Sequence, residues 1–403
     1  MVDLNAVKDR TDEIVDRHAE ILIGASHRIH AHPELGFQEH FAHDVLSEVL
    51  EGAGLDVTRH ARGIDTAFEA RVGSEGPVVA VLCEYDALPG VGHACGHNVI
   101  GAAGVGAGIA AAAVAEELGG TLLVLGTPAE EGGGGKVKLA LQGAFDDVDA
   151  ALMVHPAGIE STRIEAIAIQ RLEVTYTGTA AHAAAAPHLG RNALDAAVLG
   201  YVNVAALRQH IRPDERIHGI FTDGGQAPNV VPERAAASWY VRSPTVQGLE
   251  SLKQRVLSCL EAGTAAAGCS MEIEWIEPGF ANMVDNQPMI EAYAANLART
   301  GRTVTEPAPG EGIMGSTDMG NLSQVVPSIH PMIAVADPDV AIHTVAFERS
   351  AGGPRGDQAV LDGARALAAT VVDLWAAPGV IEATRAAFEE ARASGRATGS
   401  VTL

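Results

Sequence analysis

Apolar residues fall into two patterns along the chain. In the first third they form short continuous runs bounded by turn residues: Pro77–Cys83 (PVVAVLC), Thr121–Thr127 (TLLVLGT) and Asp149–Val154 (DAALMV). Such runs predict strands buried on both faces of a sheet. Between the first two, the Ala/Gly-rich stretch Val99–Leu118 predicts a helix packed closely on that sheet. The opening segment, MVDLNAVKDRTDEIVDRHAEIL, reads as an amphipathic helix. Strands alternating with helices predict an α/β layer sandwich, with functional loops at strand C-termini.

From about Ala168 the pattern changes to alternation. Arg171–Tyr176 (RLEVTY), Ala236–Arg242 and Ser270–Trp275 (SMEIEW) switch between polar and apolar positions, as half-exposed antiparallel strands do. Helical segments at Asn192–His210 and Thr245–Ala266 lie between them. The order β-α-β-β-α-β predicts a ferredoxin-like α+β domain over residues 168–281, inserted into a larger discontinuous domain of residues 1–167 and 282–403.

Composition narrows the function classes. A chain of 403 residues accommodates about two domains. With 47 % apolar but 4 % aromatic residues, its cores must be built mainly from Ala, Val, Leu and Ile. The net charge of −24 argues against nucleic acid or an anionic membrane as partner, but leaves small substrates open. The acidic opening segment carries no apolar run resembling a signal peptide or a membrane span, which points to a cytoplasmic protein. Four cysteines are too few for a disulfide framework; Cys259 and Cys269 are expected as reduced thiols, although a bond between them is possible.

Candidate chemistry gathers at four places. In His93-Ala94-Cys95-Gly96-His97-Asn98, the glycine allows Cys95 and His97 to face one cation. In Thr127-Pro128-Ala129-Glu130-Glu131, directly after a buried run, one carboxylate can bind metal while its neighbour acts as a base. His155 follows the third apolar run, and His343 lies on a returning segment. Each is weak evidence alone. Together Cys95, His97, Glu131, His155 and His343 supply five mixed S, N and O donors, enough for two bridged divalent cations, with Glu130 left as the base. His93 is read as structural.

The segments HAHPELGFQE (30–39), EYDALPGVGHACGHN (84–98), TPAEEGGGGK (127–136), GTAAHAAA (178–185), GSTD (315–318) and His343–Phe347 resemble metallopeptidase family 20 over nearly the whole chain. That family includes aminoacylases, carboxypeptidase G and plant indole-acetyl-amino-acid hydrolases. The second and third segments are especially similar to its branch of dipeptidases and p-aminobenzoyl-glutamate hydrolase-like proteins. The resemblance implies a Zn-peptidase-like α/β/α catalytic domain, with the insert acting as a dimerisation or lid domain. It implies a dinuclear site of Zn or Mn (Co or Ni being further options) on the five donors named above. Glu130 is the implied base, Asp86 the partner that orients His97, and His182 an oxyanion donor reaching across a homodimer. Asn229, Arg242 and Gly315 are implied to contact the substrate. The implied substrate is an N-acyl amino acid or a dipeptide with a free carboxylate; the two remain alternatives, as does a non-catalytic metal-binding module. Two departures stand beside the metal shell: Glu84-Tyr85-Asp86 where many relatives have His-x-Asp, and Asn98 where many have Asp.

Overall fold

The continuous apolar runs form the centre of a six-stranded sheet in the computed structural model, which describes residues 2–305 and 314–403. Its order is Val57–Arg59, Phe68–Val72, Thr121–Gly126, Val78–Cys83, Ala150–Leu152 and Ser328–Ile329. The last four are mutually parallel and the first two pair antiparallel at one edge. Cys83 stands opposite Gly126 in the parallel register. Their loops, which begin at Glu84 and Thr127, therefore leave the sheet side by side at the carboxyl ends of the strands, where open α/β sheets place their sites.

Alternate residues of these strands feed two cores. Val79, Val81, Leu122 and Val124 pack with Leu22, Val105, Tyr293 and Leu367, from helices Leu4–His30, His97–Leu118, Gln287–Arg299 and Pro354–Ala376. On the opposite face Ala80, Leu82, Leu123 and Leu125 pack with Leu139, Phe145, Met319 and Leu322. The result is an α/β/α sandwich. Helix His97–Leu118 lies tight on the sheet because its small residues permit it: a Cβ at Gly104 would fall 2.6 Å from Cys83 Sγ, and one at Gly108 2.4 Å from Val124 Cγ2. This helix is long and apolar enough to cross a membrane, but 89 % of its most apolar stretch is buried inside the protein.

The strand expected over Asp149–Val154 is shorter and divided. Ala150–Leu152 pairs in the main sheet, whereas His155–Ala157 pairs separately with Met332–Ala334. Pro156 has no N–H to donate, so this stretch suits a two-stranded ladder better than the middle of a sheet. His155 accordingly opens a strand, where a strand-ending loop residue was expected.

Contact density divides the chain into Met1–Glu165 with Met283–Val401, and Ala166–Asn282 with Thr402–Leu403. The second unit has four antiparallel strands in the order Ser270–Phe280, Ala168–Thr177, Arg234–Ser243 and Arg216–Asp223. Helices Ala193–Leu207 and Val246–Ala267 cover one face, burying Leu172, Val174, Trp239, Leu249, Val256 and Leu260. This is the ferredoxin-like β-α-β-β-α-β order. The edge strand Arg216–Asp223 escaped the alternation pattern because its adjacent Ile220 and Phe221 are both exposed. Cys259 and Cys269 are both free.

Candidate metal centre

Four loops and turns of the first unit carry the candidate ligands. After strand Val78–Cys83 the chain runs through Asp86 to Cys95 and the start of helix His97–Leu118. Gly96 makes that turn at φ 81°, and a Cβ there would lie 2.7 Å from Pro156 Cβ. Only glycine therefore lets the loop bend and also rest on the segment that carries His155. After strand Thr121–Gly126, Ala129 adopts the left-handed conformation at φ 58° and turns Glu130 and Glu131 into the site. His343 is left-handed too, at φ 64°, and its N–H donates to Ala94 O at 2.8 Å. Such conformations cost about 1–3 kcal/mol each and persist only where the surroundings impose them. Here one belongs to a candidate ligand and the other immediately precedes the paired carboxylates.

The side chains converge. Donor atoms of Cys95, His97 and His155 lie within 4.8 Å of one another, as do those of Cys95, Glu131 and His343, and those of His97, Glu130 and Glu131. Cys95 Sγ is 3.4 Å from His155 Nε2, and Glu131 Oε1 is 3.4 Å from His343 Nε2 and 4.0 Å from His97 Nε2. Asp86 is completely buried and organises two ligands at once. One oxygen accepts from His97 Nδ1 at 2.9 Å, and the other from the Glu131 backbone N–H at 2.9 Å. Because a carboxylate only accepts, His97 carries a proton on Nδ1. Burial is outweighed by the charges of Cys95 and Asp86, which push its imidazole well above the ordinary value, so a cation binding at Nε2 would displace a second proton. His155 is set the same way: Nδ1 donates to Pro156 O at 2.8 Å, freeing Nε2.

The electrostatics describe a pocket of excess negative charge. Glu84, Glu130 and Asp318 are buried around Lys136, and Asp86 is buried beside His97. Burial, then the charges of Glu84, Glu131 and Asp318, push Glu130 well above the usual carboxylate range. Burial acts on Glu131 in the same direction, but His343 and His97 hold it below its ordinary value. Asp86 is also held low, its burial outweighed by His97 and by backbone N–H donors. Burial pushes the Cys95 thiol up and, with His330 and His97, the His155 imidazole down. A neutral imidazole is the form that ligates, and a thiol in such a site becomes a thiolate when a cation coordinates it.

Divalent cations fit this donor set. His97 Nε2 and Glu131 Oε1 are buried without a hydrogen-bond partner, and both point into the cluster. Unpaired buried polar atoms are costly, and convergent ones of N, O and S type are what a cation would satisfy. Cys95 and His97 appear in overlapping groups, so the donors suit two adjacent cations better than one.

The other expected site residues lie elsewhere. Gly315 is in the short strand Met314–Gly315, where an added Cβ would make only an ordinary 3.5 Å contact with Ile164. His182, Asn229 and Arg242 belong to the second unit. There His182 and Asn229 are neighbours, with Ala183 N donating to Asn229 O at 3.0 Å. His182 Nδ1 accepts from the N–H groups of Ala184 at 3.3 Å and Ala185 at 3.1 Å, so its proton is on Nε2. Arg242 is half-buried with Nε unpartnered, and its guanidinium lies 5.8 Å from the Tyr240 ring. Sequence reasoning missed Lys136, Asp318 and His330, whose ring stacks on His155 at 5.1 Å between centroids. Lys136 and Asp318 lay inside quoted motifs, but nothing local to either marks the two as partners.

An α/β/α sandwich with overlapping donor sets and a spare carboxylate at the ends of its parallel strands defines the class of dinuclear metallohydrolases. The model of peptidase family M20/M25/M40 matches residues 80–373, and the chain belongs to that family, hydrolases of C–N bonds. It is 38 % identical to the Xaa-Arg dipeptidase of Mus musculus over 96 % of this chain and 93 % of that protein. It is 37 % identical to a p-aminobenzoyl-glutamate hydrolase chain of Escherichia coli over 65 % of this chain and 59 % of that one. Among solved structures, a dinuclear metal-binding M20 peptidase from Bacillus subtilis shares the fold with a TM-score of 0.71 at 20 % identity, covering 89 % of this chain and 99 % of its own. The expected family and fold class are thereby shown, together with metal-dependent amide hydrolysis.

Proposed function

We propose that this chain is a dipeptidase that removes a C-terminal amino acid with a basic side chain. Its near full-length similarity to a protein named for Xaa-Arg dipeptides supports this reading. So does the charge of −24, whose field draws cationic substrates toward the protein. The similarity to p-aminobenzoyl-glutamate hydrolase, over a shorter span, favours a second reading with an acidic C-terminal residue.

The observation that carries the proposal is the overlap of three donor groups, Cys95 with His97 and His155, Cys95 with Glu131 and His343, and His97 with Glu130 and Glu131, of which Glu130 is assigned the base's role. Two divalent cations, Zn or Mn, would be held by those five residues and would supply Lewis acidity toward water and the amide carbonyl. Glu130 removes a proton from the water as its oxygen attacks the amide carbon. The same carboxyl then delivers that proton to the amide nitrogen as the C–N bond breaks, and the second water proton leaves with the products as a carboxylate and an ammonium. Glu130 is buried directly beside Glu131, within reach of water at the centre. Asp86 keeps His97 in the ligating tautomer. His182, with its proton on Nε2, donates to the oxyanion in the partner subunit's site. Arg242, whose Nε is buried without a partner, and Asn229 hold the substrate carboxylate.

The homodimer this requires is supported by an apolar surface on the second unit. Val198, Leu199 and Val202 of one helix and Ile220 and Phe221 of the edge strand are exposed, and Tyr201 and Phe221 join the two elements with ring centroids 5.6 Å apart. An exposed edge strand beside an apolar helix face is a self-complementary docking surface. A cytoplasmic setting agrees with the free, half-buried Cys259 and Cys269.

The test is amine release from a panel of Xaa-Arg, Xaa-Lys, Xaa-Glu and β-alanyl dipeptides, N-acetyl amino acids and p-aminobenzoyl-glutamate, with Zn or Mn present. The proposal expects the highest kcat/KM on Xaa-Arg or Xaa-Lys. Preference for p-aminobenzoyl-glutamate or Xaa-Glu would replace it with the second reading, and hydrolysis of none would defeat both.

A further inference from the structure

Four glycines, Gly132–Gly135, follow the paired carboxylates, and two of them, Gly132 and Gly134, are left-handed at φ 88° and 62°. Glycine loses more conformational freedom on folding than any other residue, so such a run keeps one shape only where other segments hold it. Glu131 is anchored through its backbone N–H to Asp86 and would be held again by a cation. Glu130, which is no ligand in the scheme above, depends on the shape of the turn.

The segment Pro33–Glu39, between the first two helices, supplies the hold. Glu34 O accepts from the Ala87 N–H at 2.8 Å, which ties the segment to the loop that carries Asp86. Gly36 lies so close to the turn that a Cβ there would fall 2.9 Å from Ala129 Cβ, and Glu39 accepts from the Ala129 N–H at 2.7 Å. Those contacts secure the turn before Glu130. Phe37 meets it on the glycine side. A Cβ at Gly133 would fall 2.9 Å from Phe37 Cε2, so the ring rests on the glycine backbone. The Lys138 ammonium, from the short helix Gly135–Leu141 that the glycines lead into, stands 3.8 Å from the centroid of the same ring.

Phe37 is held in this place against its own preference. At φ 62° it is a bulky aromatic in the left-handed region, a conformation retained only where the surroundings impose it. Its half-buried ring joins neither core of the sandwich. What the ring does touch is the glycine run and the helix after it.

Resting on the reading of Glu130 as the base, we propose that Phe37 is its positioning residue. The ring, seated on Gly133 and faced by Lys138, stiffens the glycine run and keeps the Glu130 carboxylate aimed at the water it deprotonates. Misplacing a reacting group by about 1 Å costs about 10²-fold in rate. The cation ligands, which come from several loops, are far less dependent on this one contact.

Phe37→Gly separates these effects, because glycine takes the left-handed backbone without strain and removes only the ring. Three quantities are compared with wild type: hydrogen exchange of the 132–136 amides in metal-free protein, Zn2+ and Mn2+ affinity by chelator competition, and steady-state kinetics. Phe37→Gly is expected to exchange about 10-fold faster at those amides and to lose about 10–100-fold in kcat. Its KM and both metal affinities are expected to stay within threefold. Phe37→Tyr, which keeps the ring, is expected to restore all three. Lys138→Met, which removes the cation facing the ring, should speed exchange about 2–5-fold. If Phe37→Gly does not fold, Phe37→Asn, which also tolerates the left-handed region, is judged by the same criteria. Unchanged exchange or unchanged kcat would overturn the inference, as would a loss of metal affinity as large as the loss of kcat. Wild-type turnover in Glu130→Gln would instead sink the base assignment, whereas the exchange of the glycine amides reports on Phe37 independently of turnover.

Discussion

Glu39 offers a sharp test of how the turn before Glu130 is held. Its carboxyl is completely buried; one oxygen accepts from the N–H of Ala129 at 2.7 Å and the other has no partner. Burial, reinforced by the charge of Asp86, pushes its pKa from the ordinary 4.5 up to about 7. The folded state therefore keeps a proton that the unfolded chain has lost, and stability falls as pH rises from about 4.5 to about 7. The size of that gap corresponds to roughly 3 kcal/mol lost by pH 8. Glu39→Gln keeps an oxygen for Ala129 N–H and removes the charge. Any cost of the new amide is the same at every pH, so the pH-dependent difference is the readout. In chelator-treated protein, thermal unfolding at pH 5 and pH 8 should show the variant gaining up to about 3 kcal/mol over wild type between the two. At about 2 °C per kcal/mol, that is a relative Tm gain near 6 °C. Glu39→Ala, which leaves a buried N–H unpaired on a strained residue, should instead lose about 1–3 kcal/mol at both pH values. A Glu39→Gln variant with the same pH dependence as wild type would refute the reasoning.

Three further perturbations address the site and the assembly. Glu130→Gln should retain both cations by elemental analysis while kcat falls about 10²–10⁴-fold, since the amide cannot carry the proton. Asp86→Asn removes the carboxylate that fixes the His97 proton, and metal affinity should drop about 10–100-fold in a competition titration. Ile220→Asp with Phe221→Asp places charge on the exposed edge strand; the proposed homodimer expects sedimentation analysis to show monomers, and the proposed role of His182 expects turnover to fall with them.

Much of the molecule was legible from patterns with a physical cause. Strands buried on both faces, such as Val78–Cys83 and Thr121–Gly126, are almost wholly apolar along their run. Their carboxyl ends therefore mark where Glu84 and Glu130 must emerge. The spacing of Cys95 and His97 around a glycine implied a sharp bend, and Gly96 makes it at φ 81°. Features that depend on contacts between distant segments stayed hidden. Nothing adjacent to Lys136 shows that Asp318, far along the chain, encloses it. Nor does the sequence near Ala129 reveal that Glu39 caps its N–H and holds it left-handed. The strand Arg216–Asp223 was missed for the opposite reason, since its outward Ile220 and Phe221 disrupt the period that a solvated strand displays.

The central claim is that distant side chains gather two cations and leave Glu130 uncommitted. Anomalous diffraction from crystals grown with Mn2+ or Zn2+ tests it directly. The structure predicts two peaks ligated by Cys95, His97, Glu131, His155 and His343, with the Glu130 carboxylate outside the coordination shell but within hydrogen-bond reach of solvent there. A single peak, none, or Glu130 bound as a ligand in place of Glu131 would contradict it.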